Sequence, residues 1–172
     1  MSPRMIYFIL GLLPLAAIAY AKFYLEDIQL LEPCPYCMLQ RGILLLFTAL
    51  FWLSGLFVQR GSRFFASLSS LLFIIVGAVG LFVAGKHIYL QLNPADTLGC
   101  TQTTLAITEV FDYQIVKDLL LTGGDCSTID WTFLGLSIPM WTAILFLLLT
   151  ILGLLMNRYM RHSIDRNRRP YY

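Results

Sequence analysis

The stretch CPYCMLQRGILLLFTALFWLSGLFV, residues 34–58, sets a Cys-x-x-Cys pair, Cys34 and Cys37, just before a run from Gly42 to Val58 that carries no charge. A helix rises 1.5 Å per residue, so about 20 apolar residues, with roughly 17 as the lower limit, cross the ~30 Å hydrocarbon core of a bilayer. The run therefore reads as a membrane span, and the pair as a dithiol in the short polar break before it. Two intervening residues let both sulfurs fall within bonding distance, and such pairs readily hold one sulfur as a thiolate. A dithiol at a bilayer surface implies electron traffic.

Outward from this stretch, three more runs have the composition of a span: Met5 to Ala21, Phe64 to Ala84, and Met140 to Met156. Hydrophobic residues make up 58% of the chain and charged residues 13%, against roughly 25% charged in soluble domains, and the mean hydropathy is +0.73. The expected fold class is an all-α integral membrane protein, a single domain built as a four-helix transmembrane bundle. Two loops on one side, about 22–41 and 85–139, would hold all four cysteines. Gly77, Ala78, Gly80, Ala84 and Gly85 would let another helix approach the third span closely, or would simply face lipid. Gly11 and Pro14 in the first span are tolerable where neighbouring helices absorb the freed backbone group.

Lys and Arg are retained on the cytoplasmic side of short loops. Arg4, Arg60, Arg63, Arg158, Arg161, Arg166, Arg168 and Arg169 fall on one side of the four spans, and nine of the ten acids fall on the other. Both termini are therefore expected in the cytoplasm and both cysteine loops outside. Ala19-Tyr20-Ala21 also imitates a signal-peptidase site, and cleavage there would leave the orientation of the other spans unchanged.

An outward face in a bacterial envelope is oxidising, so the plainest reading of Cys34, Cys37, Cys100 and Cys126 is two structural disulfides. A bridge from Cys100 to Cys126 would contribute on the order of 3 to 4 kcal/mol by closing a long loop, whereas one across two residues constrains little. The first pair thus looks chemical, and the second fits either role. A four-thiolate zinc site would call for a second close knuckle, and Cys100 and Cys126 stand far apart, so no metal is expected. Haem attachment fails because Met38, not His, follows Cys37.

Three segments together carry a resemblance: Leu31-Glu32-Pro33-Cys34-Pro35-Tyr36-Cys37-Met38-Leu39-Gln40-Arg41; Lys86-His87 with Gln91-Leu92-Asn93-Pro94 ahead of Cys100; and Gly124-Asp125-Cys126 with Trp131, Phe133-Leu134-Gly135-Leu136 and Pro139-Met140-Trp141. With four spans and two cysteine loops, the chain resembles the disulfide bond formation protein B (DsbB) family over nearly its whole length. The family's part in keeping the bacterial periplasm oxidising is a known property that the resemblance implies. It implies an inner-membrane thiol oxidase that reoxidises a DsbA-like periplasmic thioredoxin-fold protein and delivers the electrons to a membrane quinone, ubiquinone or menaquinone. It also implies that the partner attacks a Cys100–Cys126 disulfide, that Cys100 takes the mixed disulfide, that Cys126 passes electrons to Cys34, and that Cys37 faces the quinone. Redox scales agree with such a sink: a partner near about −120 mV cannot unload onto glutathione pools at roughly −180 mV or lower.

Arg41 lies four positions after Cys37, so both can share one helix face. A guanidinium at about 4 Å and an effective dielectric near 20 attracts a thiolate by roughly 4 kcal/mol before desolvation, and it could also bond a quinone oxygen. The bland alternative is an Arg reaching for lipid head groups. His87 closes the third span on the same side, and the resemblance puts it beside the quinone as donor or proton source, although a lone interfacial His is often merely hydrated. In the long loop, Ile107, Val110, Phe111, Ile115 and Leu119 recur at helical spacing, which predicts an amphipathic helix on the outer leaflet or capping the bundle. Trp131, Phe133 and Trp141 read as interfacial anchors, Ser137 as a helix start, and the terminal arginines as topology determinants in contact with the lipid bilayer, with no nucleic acid implied. Two rivals remain. A vitamin K epoxide reductase-like enzyme would carry its C-x-x-C near the last span, and a scaffold with structural disulfides would bind no quinone.

Overall fold

The computed structural model describes residues 3–31, 33–57, 63–93, 127, 129 and 131–168. Helix α1 runs Pro3–Tyr20 and continues as a π-helical stretch, Ala21–Glu26; α2 runs Pro35–Phe57 and α3 Arg63–Leu92. A short hairpin of β1, Thr132–Phe133, and β2, Leu136–Ser137, leads into α4, Ile138–Arg168. Four helices among the described residues are long and apolar enough to cross a membrane: Arg4–Glu26, Pro35–Phe57, Phe64–Leu92 and Ile138–His162. The shorter ones, at 23 residues, reach about 35 Å at 1.5 Å per residue.

Each helix overruns the apolar run that marks it in the sequence. Hydropathy falls where polar side chains begin, but a backbone keeps its hydrogen bonds until something stops it. Residues 22–26 and 35–41, expected in a loop, are helical, so the break between α1 and α2 shrinks to about eight residues around Cys34. On α3 the helix carries Lys86 and His87 in its last two turns. The end of α1 is shaped by wide bonds, Asp27 N–H to Lys22 O and Gln29 N–H to Tyr24 O, and by Leu30 at φ 53°. The amphipathic helix expected over 107–119 lies outside the described residues.

Packing pairs α1 with α2 and α3 with α4, and the α2–α3 contact joins the two pairs. Phe47 and Phe51 of α2, Phe73 of α3 and Phe146 of α4 are fully buried, with ring centroids 4.8 Å apart for Phe51–Phe73 and 6.0 Å for Phe47–Phe146. Large apolar side chains on the opposite faces, such as Leu45, Leu53, Phe82 and Ile151, point away from this core, as lipid-facing surface requires. Gly77 and Gly80 are the points of close approach: a Cβ at Gly77 would run into Thr150, and one at Gly80 would press on Phe146. Ala84 is buried, while Ala78 and Gly85 face outward.

At one end of the bundle α1 and α3 begin, α2 ends and α4 runs out; at the other α1 and α3 end and α2 begins, beside the hairpin. At the first end Asn157 is fully buried. It accepts from Tyr7 Oη at 2.6 Å and donates to Ser69 Oγ at 2.9 Å, tying α4 to α1 and α3. At the other end stands Cys34.

Candidate dithiol site

Cys34 is the residue before α2, and Pro35 takes the first helical position, where its missing N–H costs nothing. The Cys34 carbonyl accepts the first helical bond from Met38 N–H at 3.1 Å, and its sulfur accepts Cys37 N–H at 3.4 Å. This is the geometry of an N-cap with sulfur in place of the usual oxygen. The partial positive charge of a helix N-terminus suits an anionic sulfur. Three residues on, Cys37 returns to the same face, and the two sulfurs meet at 3.2 Å.

Above them, α3 contributes His87, 3% exposed, with Nε2 3.6 Å from Cys34 Sγ. The ring is held from behind. Gln40 of α2, 2% exposed, places Nε2 3.3 Å from His87 Nδ1, and its Oε1 receives the Thr142 hydroxyl of α4 at 2.8 Å. Tyr36 flanks the ring at 5.7 Å between centroids. Three helices thus converge on one imidazole, which no single segment of the sequence reveals.

Arg41 lines the same cavity, of about 110 Å³, as Cys34, Cys37, Gln40 and His87. Its guanidinium forms an ion pair with Glu26 at the end of the π-helical stretch and donates to Met38 Sδ at 3.8 Å. Glu26 is also paired with Lys22 at 2.9 Å. The charge of Arg41 is therefore shared with a carboxylate, and its pull on a Cys37 thiolate is smaller than the bare charge would exert. An apolar groove of about 380 Å³ adjoins the cavity through Ala17, Ala21, Leu25 and Thr142 and runs between α1 and the start of α4.

Of the residues expected from sequence, Cys34, Cys37, Arg41 and His87 come together around one cavity. His87, expected beside a quinone, has its imidazole on Cys34. Cys100 and Cys126 lie outside the described residues. Sequence reasoning passed over Glu26, Gln40 and Thr142 as site residues. The available signals were a carboxylate four residues after Lys22 at the edge of an apolar run, and an amide one turn after Cys37 on its face. Ser137 does precede α4, but its hydroxyl is donated to Gln91 Oε1 at 2.8 Å, bracing the hairpin against α3. Trp141 Nε1 donates to Phe133 O at 3.1 Å and Trp131 stacks on Phe133, so these aromatics also hold the hairpin together.

A model of the family described as "Disulfide bond formation protein DsbB" matches residues 3–156. A disulfide bond formation protein B from Marinobacter nauticus is 38% identical over 164 residues, 92% of this chain and 95% of that protein. One from Xylella fastidiosa (strain 9a5c) is 36% identical over 140 residues, 80% of each chain. One from Polaromonas sp. (strain JS666) is 34% identical over 151 residues, 86% of this chain and 88% of that protein.

Proposed function

The chain belongs to the disulfide bond formation protein DsbB family, and on that premise we propose that it is a protein thiol oxidase of a bacterial inner membrane, passing two electrons from a DsbA-like thioredoxin-fold protein to a membrane quinone. The observation that carries this reading is the position of the Cys34–Cys37 pair, in the wall of a cavity that Arg41 and His87 share and that continues into an apolar groove. A quinone ring needs donors for its carbonyl oxygens and its tail needs an apolar path. Arg41, in the cavity wall, fits the first need, and the groove between α1 and α4 fits the second. A quinone bound there, ubiquinone or menaquinone, supplies a sink for two electrons and two protons.

The chain's own residues do the rest. By the family's pattern, Cys100 takes the mixed disulfide with the partner protein, and Cys126 hands the electrons to Cys34. Reduction breaks the Cys34–Cys37 bond. Reoxidation removes two electrons and two protons from the pair and closes the bond again, with Cys37 facing the acceptor. His87 Nε2 lies where it can exchange a proton with Cys34 Sγ as that sulfur alternates between thiol and disulfide. Arg41 stabilises negative charge on Cys37 and on the acceptor side. The distribution of basic residues supports a periplasmic dithiol end and cytoplasmic termini.

The test is quinone absorbance followed in detergent while a reduced thioredoxin-fold partner is added. Wild-type protein is expected to consume quinone, and a Cys34→Ser, Cys37→Ser double variant to consume none. Cys37→Ser alone is expected to react once with the partner and then stop. Quinone loss at the wild-type rate in that variant would remove Cys37 from the role.

A further inference from the structure

We propose that the reduced Cys34–Cys37 pair and His87 form a three-donor site for a thiophilic divalent cation such as zinc, and that filling it locks the dithiol in its reduced state. The three donor atoms all lie within 4.8 Å of one another. Zinc binds sulfur at about 2.3 Å and imidazole nitrogen at about 2.0 Å, so tetrahedral angles put two sulfurs about 3.8 Å apart and a sulfur and a nitrogen about 3.6 Å apart. The sulfurs here are 3.2 Å apart, and Cys34 Sγ stands 3.6 Å from His87 Nε2. The Cys34–His87 edge already fits, the two sulfurs must part by about half an ångström, and the Cys37–His87 edge, which lies within 4.8 Å, must settle at about 3.6 Å. Cys34, Cys37 and His87 all line the one cavity, which leaves space for the fourth, open position of a site with three protein ligands.

Charge and hydrogen bonding favour the same occupant. Two thiolates and a divalent cation sum to zero, which suits donors as buried as Cys34 and His87. Binding replaces two S–H protons with one metal and releases both to solvent, with no change of oxidation state. A ligating His commonly gives its other ring N–H to an acceptor. Gln40 serves here because its amide has interchangeable ends: with Oε1 toward Nδ1, its NH₂ group points at Thr142 Oγ1, which can still donate to the carbonyl of Ile138 or Pro139. The sequence alone argued against zinc for want of a second cysteine knuckle; the fold supplies a histidine 53 residues away instead.

The consequence for turnover rests on the oxidase reading, but the binding itself does not. A disulfide offers no thiolates, so the oxidised enzyme should ignore zinc and the reduced enzyme should be held by it. The experiment uses the full chain with Cys100 and Cys126 replaced by Ser, so that only the Cys34–Cys37 pair contributes sulfur. Zinc competition against a chromophoric chelator is expected to give one ion per reduced chain and none after the pair is oxidised, with two protons released per ion in weak buffer. Cobalt(II) in place of zinc is expected to show intense tetrahedral d–d bands with thiolate charge transfer. His87→Ala should weaken zinc binding by more than the roughly 10- to 100-fold typical of losing an outer-shell partner, and Gln40→Leu by an amount within that range. Equal zinc affinity in the oxidised and reduced chains overturns the proposal, and so does equal affinity with and without His87. Because the wild-type pair is compared in its two redox states, a poorly folding variant leaves the test intact. Zinc binding by the Cys100→Ser, Cys126→Ser chain, together with no quinone consumption by the metal-free wild-type chain, would sink the oxidase reading and keep the site.

Discussion

At the scale of single residues, Arg41 and Glu26 set the charge beside the dithiol. A lone guanidinium about 4 Å from a thiolate would attract it by roughly 4 kcal/mol at an effective dielectric near 20. The Glu26 carboxylate on the same guanidinium offsets much of that attraction. Glu26→Gln keeps the shape and removes the opposing charge, so the freed Arg41 should hold an acceptor better. The apparent KM for quinone is expected to fall about two- to fivefold, matching the 0.4 to 1 kcal/mol typical of a partly exposed ion pair, while Arg41→Gln raises it. An unchanged KM in both variants would place Arg41 away from the acceptor. Arg41 was legible as a site residue because it stands one turn past Cys37. Its partner was not, because Glu26 sits past the point where the apolar run ends, and the widened turn that aims it leaves no sequence signature. The Gln40–His87–Cys34 contacts escaped for another reason: they span 47 and 53 positions, and one sequence shows only local spacing.

The helices were the most legible elements, since apolar length alone marks a membrane span, whereas the small residues of the third span left open which of them pack, and Gly77 and Gly80 are the ones that meet α4. Their ends were the least legible, because helical hydrogen bonding persists into polar sequence. The hairpin before α4 went unseen altogether. Its register pairs Thr132 with Ser137 and Phe133 with Leu136, which leaves a two-residue turn at Leu134 and Gly135 with φ 54° and 78°. Such a turn needs positive φ at both central positions, and Asn-Gly is its favoured sequence. Leu134 breaks that rule and is 79% exposed, so nothing it packs against repays the strain. Leu134→Asn is expected to stabilise the protein by about 1 kcal/mol, read as a higher denaturation midpoint in detergent. A lower midpoint would mean that the leucine side chain is needed where it is. On α3, Gly77→Leu should instead force α3 and α4 apart and lower the midpoint by several degrees, a result that an open lipid-facing position would not give.

At the scale of the whole molecule, two polar clusters among the described residues cap an aromatic core from opposite ends, and the dithiol belongs to one of them. Asn157 lies nineteen residues along α4 from Ile138, about 28 Å at 1.5 Å per residue, so its cluster is remote from the dithiol. Its bonds to Tyr7 and to Ser69 join three helices in a setting where no aqueous hydrophobic effect presses helices together. Interhelical hydrogen bonds in membranes average about 0.6 kcal/mol and reach about 1.7 kcal/mol. Asn157→Ala, which removes bonds to two helices, is therefore expected to cost about 1 to 2 kcal/mol, and Tyr7→Phe about 0.6 kcal/mol. Unfolding in mixed micelles measures both. Neither change should alter quinone kinetics in the protein that remains folded, because the helices reach the dithiol through the Phe47, Phe73 and Phe146 core rather than through the polar cluster. A shift in quinone KM with stability intact would show that the two ends are coupled, and that the register of α4, which carries Thr142, is set from the far end of the bundle.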